Sequence, residues 1–124
     1  MTLKISEAEW QVMKILWQKS PRTSNEIIAI LEHNVGWSAP TIRTLITRLL
    51  NKGAINFQKN GRAYLYSYAI QEEQTKRTET KSFISRVFDG TMQHLFVTFL
   101  KETDLSNAEI VELERILKEK KLKK

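Results

Sequence analysis

The spacing of apolar residues changes at Gly53, and this change constrains the fold of the chain more than any other feature. Before Gly53, apolar side chains recur every three or four residues, as on one face of an amphipathic helix, at Ile42, Leu45, Ile46, Leu49 and Leu50. After it they alternate with other residues on both sides of Asn60-Gly61, at Ile55, Phe57, Tyr64, Tyr66 and Tyr68. Asn-Gly between two such runs predicts a β-hairpin whose turn residues both adopt positive φ. The chain should therefore end a helix at Gly53 with a left-handed cap and continue into a two-stranded ribbon.

Two capping boxes place two more helices ahead of this one, at Ser6-Glu7-Ala8-Glu9 and at Thr23-Ser24-Asn25-Glu26. Ser38 is the expected cap of the third helix. Three helices followed by a hairpin are the order of a winged helix-turn-helix, whose third helix enters the major groove of DNA. The predicted fold is mainly α with a small β-hairpin: a winged helix-turn-helix in residues 1–70, followed by a helical dimerisation domain in residues 71–124.

The distribution of charge indicates what the third helix binds. The net charge is +6, and no acidic residue lies between Glu32 and Glu72. A helical projection puts Thr44, Thr47 and Arg48 opposite the apolar face of the helix. Cations and hydroxyls without a carboxylate suit a polyanion, so we predict that this surface binds double-stranded DNA. The predicted DNA-binding residues on the helix, on its flanks and near the hairpin tip are Thr41, Arg43, Thr44, Thr47, Arg48, Lys52, Lys59 and Arg62.

Residues 71–124 carry narrow apolar stripes on otherwise charged helices. A third capping box, Ser106-Asn107-Ala108-Glu109, begins the last of three predicted helices. Short helices of this kind have little within one chain to cover their apolar side chains, so pairing with the same segment of a second copy is expected. The predicted dimerisation residues are Phe83, Val87, Phe88, Met92, Leu95, Phe96, Phe99, Ile110, Leu113 and Leu117.

The composition argues against several other kinds of site. Without cysteine there are no disulfides or thiolate ligands, and neither His33 nor His94 has a partner at ligand spacing, so no metal site is expected. A glycine-rich phosphate loop and a nucleophile with a nearby base are both missing, so we expect neither an enzyme nor a cofactor. No stretch of about 18 apolar residues occurs. We therefore expect a cytoplasmic protein without a membrane-inserted segment.

Two other functions are compatible with a winged helix. One is a DNA-binding regulator that senses a small molecule in an apolar pocket, and the other is a protein-interaction module that never binds nucleic acid. Tyr64, Tyr66 and Tyr68 also allow two interpretations: their rings pack against the helices, or they stack on unpaired bases. We expect packing, which is usual for tyrosines on a half-buried ribbon.

Several segments resemble the penicillinase-repressor family: Ile5-Ser6-Glu7-Ala8-Glu9-Trp10, Trp37-Ser38, Thr41-Ile42-Arg43-Thr44-Leu45-Ile46-Thr47-Arg48-Leu49, and Lys52-Gly53. The family includes repressors of β-lactamase and methicillin-resistance genes and copper-responsive repressors. The resemblance implies a homodimeric transcriptional repressor whose winged helices bind the two halves of a palindromic operator. It also implies which residues of the third helix face the groove, namely Thr41, Arg43, Thr44, Thr47 and Arg48.

The β-lactam branch of this family fits the chain better than the copper-responsive branch. Copper-responsive members carry paired cysteines near the C-terminus, which this chain lacks. Residues 81–84 and 104–106 resemble the dimerisation region of the β-lactam branch. In its best-known members a membrane-bound zinc-protease receptor leads to cleavage of the repressor at an Asn-Phe bond, and the bond that aligns here is Thr98-Phe99. The resemblance therefore implies release by cleavage beside Phe99, with a membrane-bound metalloprotease receptor system as a further partner.

Overall fold

The computed structural model describes residues 3–89 and 91–122 of the chain. Six helices and three strands lie in these residues, in the order α1 Glu7–Gln18, β1 Arg22–Thr23, α2 Ser24–Asn34, α3 Ala39–Lys52, β2 Ile55–Asn60, β3 Ala63–Tyr68, α4 Glu72–Val87, α5 Met92–Glu102 and α6 Asn107–Leu122. They form two compact units, Met1–Thr78 and Glu79–Lys124. The division falls inside α4, about two helical turns after residue 70. The functional division into residues 1–70 and 71–124 stays a prediction.

Hydrogen bonds at the helix N-termini confirm the three predicted helix starts in the first unit. In α1 the Ser6 hydroxyl accepts from the Glu9 N–H at 3.2 Å, and the Glu9 carboxylate accepts from the Ser6 N–H at 2.8 Å. The box that begins at Thr23 makes the same reciprocal bonds at α2. At α3 the Ser38 hydroxyl accepts from the N–H three residues later. Each cap satisfies backbone groups that would otherwise lack a partner, so the helix start is set by nearby residues.

The first unit has one hydrophobic core, which α1, α2, α3 and the start of β2 build together. Its largest fully buried apolar side chains are Val12, Met13, Leu16, Ile27, Leu31, Ile42 and Leu49. The predicted apolar face of α3 is the buried face, since only Leu50 on it stays half-buried. Burial of each large apolar side chain contributes about 1.5–3 kcal/mol. The core therefore determines which side of α3 is left exposed.

The sheet has three antiparallel strands in the order β1-β3-β2, one more than the predicted two-stranded ribbon. The additional strand, β1, places Arg22 opposite Tyr66 and Thr23 opposite Leu65. Two residues are too few for a period of two to be recognised in the sequence. This strand exists because β3 supplies a pairing partner more than 40 residues further along the chain.

The predicted hairpin is confirmed, but its turn is displaced by one residue. Asn60 pairs with Ala63 as the last residue of β2, so the two turn residues are Gly61 and Arg62. Gly61 has a φ of +67°, whereas neither Asn60 nor Arg62 has a positive φ. The expectation of positive φ at Asn60 and Gly61 together was therefore wrong. A two-residue turn with glycine at its first central position needs positive φ only at that glycine.

The second unit leaves most of its apolar side chains exposed. It contains the C-terminal part of α4 together with α5 and α6, and Ile84 is the one buried residue among its described positions. The capping box predicted for α6 is confirmed, since the Ser106 N–H donates to the Glu109 carboxylate at 3.0 Å. Across residues 3–89 and 91–122, no helix combines the length and the apolar character needed to cross a membrane.

Candidate nucleic-acid interface

The polar side of α3 is the exposed side of that helix. The structure brings five of the eight predicted DNA-binding residues together there, all of them exposed: Thr41, Arg43, Thr44, Thr47 and Arg48. None of the 14 residues of α3 is acidic. The major groove of DNA admits an α-helix whose side chains reach the base edges. The exposed side of α3 therefore has the composition and the form of a helix that binds in the major groove.

Two threonine hydroxyls on this side have a defined hydrogen-bonding direction. Thr44 donates to the Pro40 carbonyl at 3.0 Å, and Thr47 donates to the Arg43 carbonyl at 3.0 Å. Because each hydroxyl proton is used inside the helix, the oxygen remains as an acceptor and the methyl group as an apolar contact. An acceptor suits the amino groups of cytosine and adenine, and a methyl group suits the C5-methyl of thymine. Both threonines can therefore discriminate between base pairs.

Four of the predicted cations are unpaired within the described part of the chain. Arg43 and Arg48 on α3, Lys59 on β2 and Arg62 in the turn are exposed, and none of their side chains forms a hydrogen bond or ion pair with residues 3–89 or 91–122. An arginine fork can pair with guanine or phosphate, and a lysine ammonium with phosphate. Since the sequence has no carboxylate from residue 33 to residue 71, the charge of these cations is available to a polyanion.

Lys52 differs from the other predicted DNA-binding residues because its ammonium group is already bound. Its Nζ donates to Glu9 Oε1 at 2.5 Å and to the Lys4 carbonyl at 2.7 Å. Burial alone would raise the pKa of Glu9, but the hydrogen bonds from Lys52 and Ser6 outweigh burial and lower it. The sequence indicates only a helix-capping role for Glu9, because its ion-pair partner is 43 residues away.

The hairpin presents an exposed pair of aromatic rings beside Lys59, and the sequence pattern did not predict the contact between these rings. Lys59 lies opposite Tyr64, and the Tyr64 ring contacts Phe57 edge-on with the ring centroids 4.9 Å apart. Phe57 is 53% exposed and Tyr64 is 46% exposed. Among the three tyrosines, Tyr66 packs against the core, whereas Tyr64 and Tyr68 are exposed. The expectation that the tyrosine rings pack on the helices is therefore confirmed for Tyr66 alone.

A cleft in the first unit bears on the alternative function of a small-molecule sensor. A cleft of about 720 Å³ in the first unit is lined by Trp17, Tyr68 and the start of α4, and six of its eight lining residues have charged or amide side chains. Such a lining is unlike the apolar pocket expected of a small-molecule sensor.

In residues 3–89 and 91–122, histidine and acidic side chains form no group of three or more that could hold a metal ion.

Comparison with known proteins gives matches along most of the chain. The family model described as penicillinase repressor matches residues 5–119. The chain is 41% identical to the methicillin resistance regulatory protein MecI of Staphylococcus aureus (strain N315) over 119 residues, which are 96% of this chain and 97% of that protein. It is 40% identical to the penicillinase repressor of Bacillus licheniformis over 121 residues, which are 98% of this chain and 94% of that protein.

A solved structure extends this similarity to three dimensions. The solution structure of monomeric Bacillus licheniformis BlaI in complex with the blaP half-operator has a TM-score of 0.52 and 43% identity to this chain. The match covers 56% of this chain and 85% of that chain. The predicted winged-helix fold and the predicted family are thereby confirmed. The chain belongs to the penicillinase repressor family, whose members are transcriptional repressors and not enzymes.

Proposed function

We propose that the chain is a homodimeric transcriptional repressor that binds a palindromic operator with one α3 helix in each half-site. The exposed side of α3, with no carboxylate on it, carries this proposal. The guanidinium groups of Arg43 and Arg48 have no partner within the described residues, and the hydroxyl oxygens of Thr44 and Thr47 remain free to accept hydrogen bonds. The half-operator complex of BlaI supports the proposal, because BlaI is 43% identical to this chain where they match.

The remaining predicted DNA-binding residues contact different parts of the DNA in this proposal. Thr41 lies in the first turn of α3, where its hydroxyl is 3.0 Å from the Ser38 hydroxyl, and we assign it to a phosphate or a base near that end. Lys59 and Arg62 add contacts to phosphate or to the minor groove beside the hairpin. These hairpin contacts position the protein on the duplex, whereas the side chains of α3 select the sequence.

The second unit supports the homodimer. Seven of the ten predicted dimerisation residues are exposed in the single chain: Phe83, Val87, Met92, Phe96, Phe99, Ile110 and Leu117. The other three are half-buried: Phe88, Leu95 and Leu113. A groove of about 380 Å³ lies beside Phe99 and the first turns of α6, and four of its six lining residues are apolar. We propose that a second copy of the chain covers these side chains, since an apolar surface of this extent is unfavourable in water.

Dimerisation links the two units in function. Each protomer makes a small number of contacts with its half-site, and joining two protomers makes the second binding event intramolecular. Two-fold symmetry then places the two α3 helices about 34–36 Å apart, one turn of the duplex, or a multiple of that distance. In this proposal, loss of the dimer therefore causes loss of operator binding.

The controlled genes are proposed to be those of a β-lactamase or a related resistance determinant, because the named relatives regulate methicillin resistance or are penicillinase repressors. A membrane-bound metalloprotease receptor system is the proposed source of the release signal, and the repressor is proposed to act in the cytoplasm. Cleavage is proposed at Thr98–Phe99, within α5, where Phe99 is 45% exposed. Cleavage there separates Phe99 and all of α6 from the rest of the apolar surface.

Selection of duplexes from a randomised library by the wild-type protein tests this proposal. We expect an inverted repeat whose half-sites lie about one or two turns of DNA apart, together with a dimer in sedimentation equilibrium. Enrichment of an isolated half-site, or a monomer in solution, would contradict the homodimeric repressor. A protein-interaction module would enrich no sequence and would show no salt-dependent binding to mixed-sequence DNA.

A further inference from the structure

The ion pair between Glu9 and Lys52 joins two helices that are far apart in sequence. Glu9 lies in the first turn of α1, and Lys52 is the last residue of α3. The Lys52 ammonium also donates to the Lys4 carbonyl at 2.7 Å, so it contacts the segment before α1 as well as the helix itself. Two of its three N–H donors are thereby used inside the protein. Its side chain is 33% exposed, compared with 1% for that of Glu9.

Lys52 is the cation that forms an ion pair with the buried carboxylate of Glu9. Its Oε1 accepts hydrogen bonds from Lys52 at 2.5 Å and from the Ser6 N–H at 2.8 Å. Its Oε2 is buried and has no hydrogen-bond partner within residues 3–89 and 91–122. Without Lys52 the carboxylate would be a buried charge with no cation beside it, which is strongly unfavourable. The pair therefore resists opening, and Lys52 is not free to move to a phosphate.

We propose that Lys52 is a positioning residue for DNA binding and not a phosphate contact, and that Glu9 acts with it to hold the C-terminal end of α3 against α1. The inference rests on the proposed function. Buried apolar residues such as Ile42 and Leu49 hold α3 in the core and fix which of its sides is exposed. The hydrophobic effect is not directional, however, so it does not by itself fix the exact position of the last turn of the helix. The hydrogen bonds of Lys52 are directional and fix the position of this last turn.

The position of this last turn matters because Arg48 lies one helical turn before Lys52. A bidentate contact between an arginine and a base requires both partners to be placed within about 0.5 Å. A small shift of the C-terminal end of α3 therefore affects the base contact of Arg48 more than it affects general attraction to phosphate. Loss of the ion pair should reduce sequence preference while leaving non-specific binding largely intact.

The two roles for Lys52 predict different dependences on salt. A lysine that contacts phosphate releases a counterion, so its removal reduces the slope of log affinity against log salt by about one. Removal of a positioning lysine leaves that slope unchanged on non-specific DNA. The roles also differ for Glu9. If Lys52 contacted phosphate, Glu9→Gln would release its charge to the DNA and strengthen non-specific binding, whereas loss of a positioning pair weakens operator binding.

Three variants of the full chain test the inference: Glu9→Gln, Lys52→Met and the double variant. Each is titrated with the operator selected by the wild-type protein and with a mixed-sequence duplex of the same length, over a series of salt concentrations. We expect each single change to lower operator preference about fivefold to tenfold, with an unchanged slope on the mixed-sequence duplex. The double variant should show about the same operator preference as the single variant with the larger loss, because both changes break the same ion pair. Lys59→Met is the matched control and should reduce the slope by about one.

A slope reduced by about one in Lys52→Met would overturn the inference. An unchanged operator preference in Glu9→Gln would overturn it as well. Circular dichroism verifies that each variant is folded. Should Lys52→Met fail to fold, Lys52→Gln replaces it in the same comparison, because glutamine retains an N–H donor for the Lys4 carbonyl without the charge. A wild-type protein that selects no duplex would instead contradict the proposed function, and this outcome is visible before any variant is measured.

Discussion

Thr47 donates its hydroxyl proton to the carbonyl oxygen of Arg43, one turn earlier on α3, over a distance of 3.0 Å. Thr44 has the same relationship with Pro40. These bonds hold the two side chains in one orientation before any ligand binds, so less side-chain freedom is lost in the complex. They also leave the hydroxyl oxygen as an acceptor on the exposed side of the helix. The specificity of the proposed interface depends on this acceptor.

Thr44→Val should reduce operator preference by about 1–3 kcal/mol, because valine keeps a methyl group but removes the acceptor. Gel-shift titration with the selected operator and with its single-base variants measures the change. Thr78→Val is the matched control, since Thr78 on α4 also donates to the carbonyl four residues earlier, at 3.1 Å, and lies outside the proposed interface. Equal affinity of wild type and Thr44→Val for every duplex would remove Thr44 from base recognition.

Arg48→Ala and Lys59→Ala should have different effects on DNA binding. Arg48→Ala should relax the preference at one base pair, with a loss of about 1–3 kcal/mol, because an arginine fork reads guanine in the major groove. Lys59→Ala should weaken binding to all duplexes alike and flatten the salt slope by about one.

Lys101→Ala provides the control for Lys59, because Lys101 is an exposed lysine in the last turn of α5, outside the proposed DNA-binding surface. Its removal should leave the salt slope unchanged. If Lys59→Ala and Lys101→Ala gave the same slope, the hairpin lysine would have no contact with phosphate.

Phe96→Asp should convert the proposed dimer to a monomer at micromolar concentration. Phe96 is 51% exposed in the single chain, and a carboxylate there would be buried without a partner in a dimer. Sedimentation equilibrium measures the change. Lys118→Asp, an exposed charge substitution on α6, should leave the dimer intact. A Phe96→Asp protein that still sediments as a dimer would show that this part of α5 lies outside the interface.

A chain that ends at Thr98 should lose operator affinity and keep non-specific binding. It retains α1, α2, α3 and the sheet, but it lacks four predicted dimerisation residues: Phe99, Ile110, Leu113 and Leu117. Affinity for the full palindrome should fall toward that for a half-site, because the second binding event is no longer intramolecular. Titration of both duplexes with the full and shortened chains measures the loss. Undiminished affinity for the palindrome would rule out this bond as the point of release.

Glu9→Gln should lower the free energy of unfolding by about 1–3 kcal/mol at neutral pH, with a smaller loss in acid. Burial alone would raise the pKa of Glu9, but the hydrogen bonds from Lys52 and Ser6 hold it below the ordinary value of 4.5. A carboxyl group with a lowered pKa in the folded state stabilises the fold above its unfolded pKa. That contribution disappears as the pH falls through the folded pKa.

Urea unfolding of wild type and Glu9→Gln, from neutral pH to well below pH 4.5, measures this dependence. Glu7→Gln is the matched control, because Glu7 is an exposed carboxylate in the same first turn of α1, and its removal should change stability by less than about 0.5 kcal/mol. A difference between wild type and Glu9→Gln that increased in acid would contradict the assigned pKa direction.

Features that depend on neighbouring residues were predictable from the order of amino acids. The capping boxes at Ser6 and Thr23 join residues three positions apart, and the left-handed cap at Gly53 has a φ of +77°. The turn of the hairpin was predicted one residue too early. Asn-Gly favours one turn type, whereas the pairing of Asn60 with Ala63 follows from the alignment of β2 and β3 over their whole length.

The exposed side of α3 followed from the sequence, because a helix with one continuous apolar stripe can bury that stripe in only one orientation, which leaves Thr44, Thr47 and Arg48 outside. The tertiary structure decided the partner of Lys52. Periodicity places this lysine beside the other cations of the helix, yet the folded chain brings a carboxylate from 43 residues away to its ammonium group. Local spacing specifies the direction in which a side chain points, but its partner depends on which elements the hydrophobic core brings together.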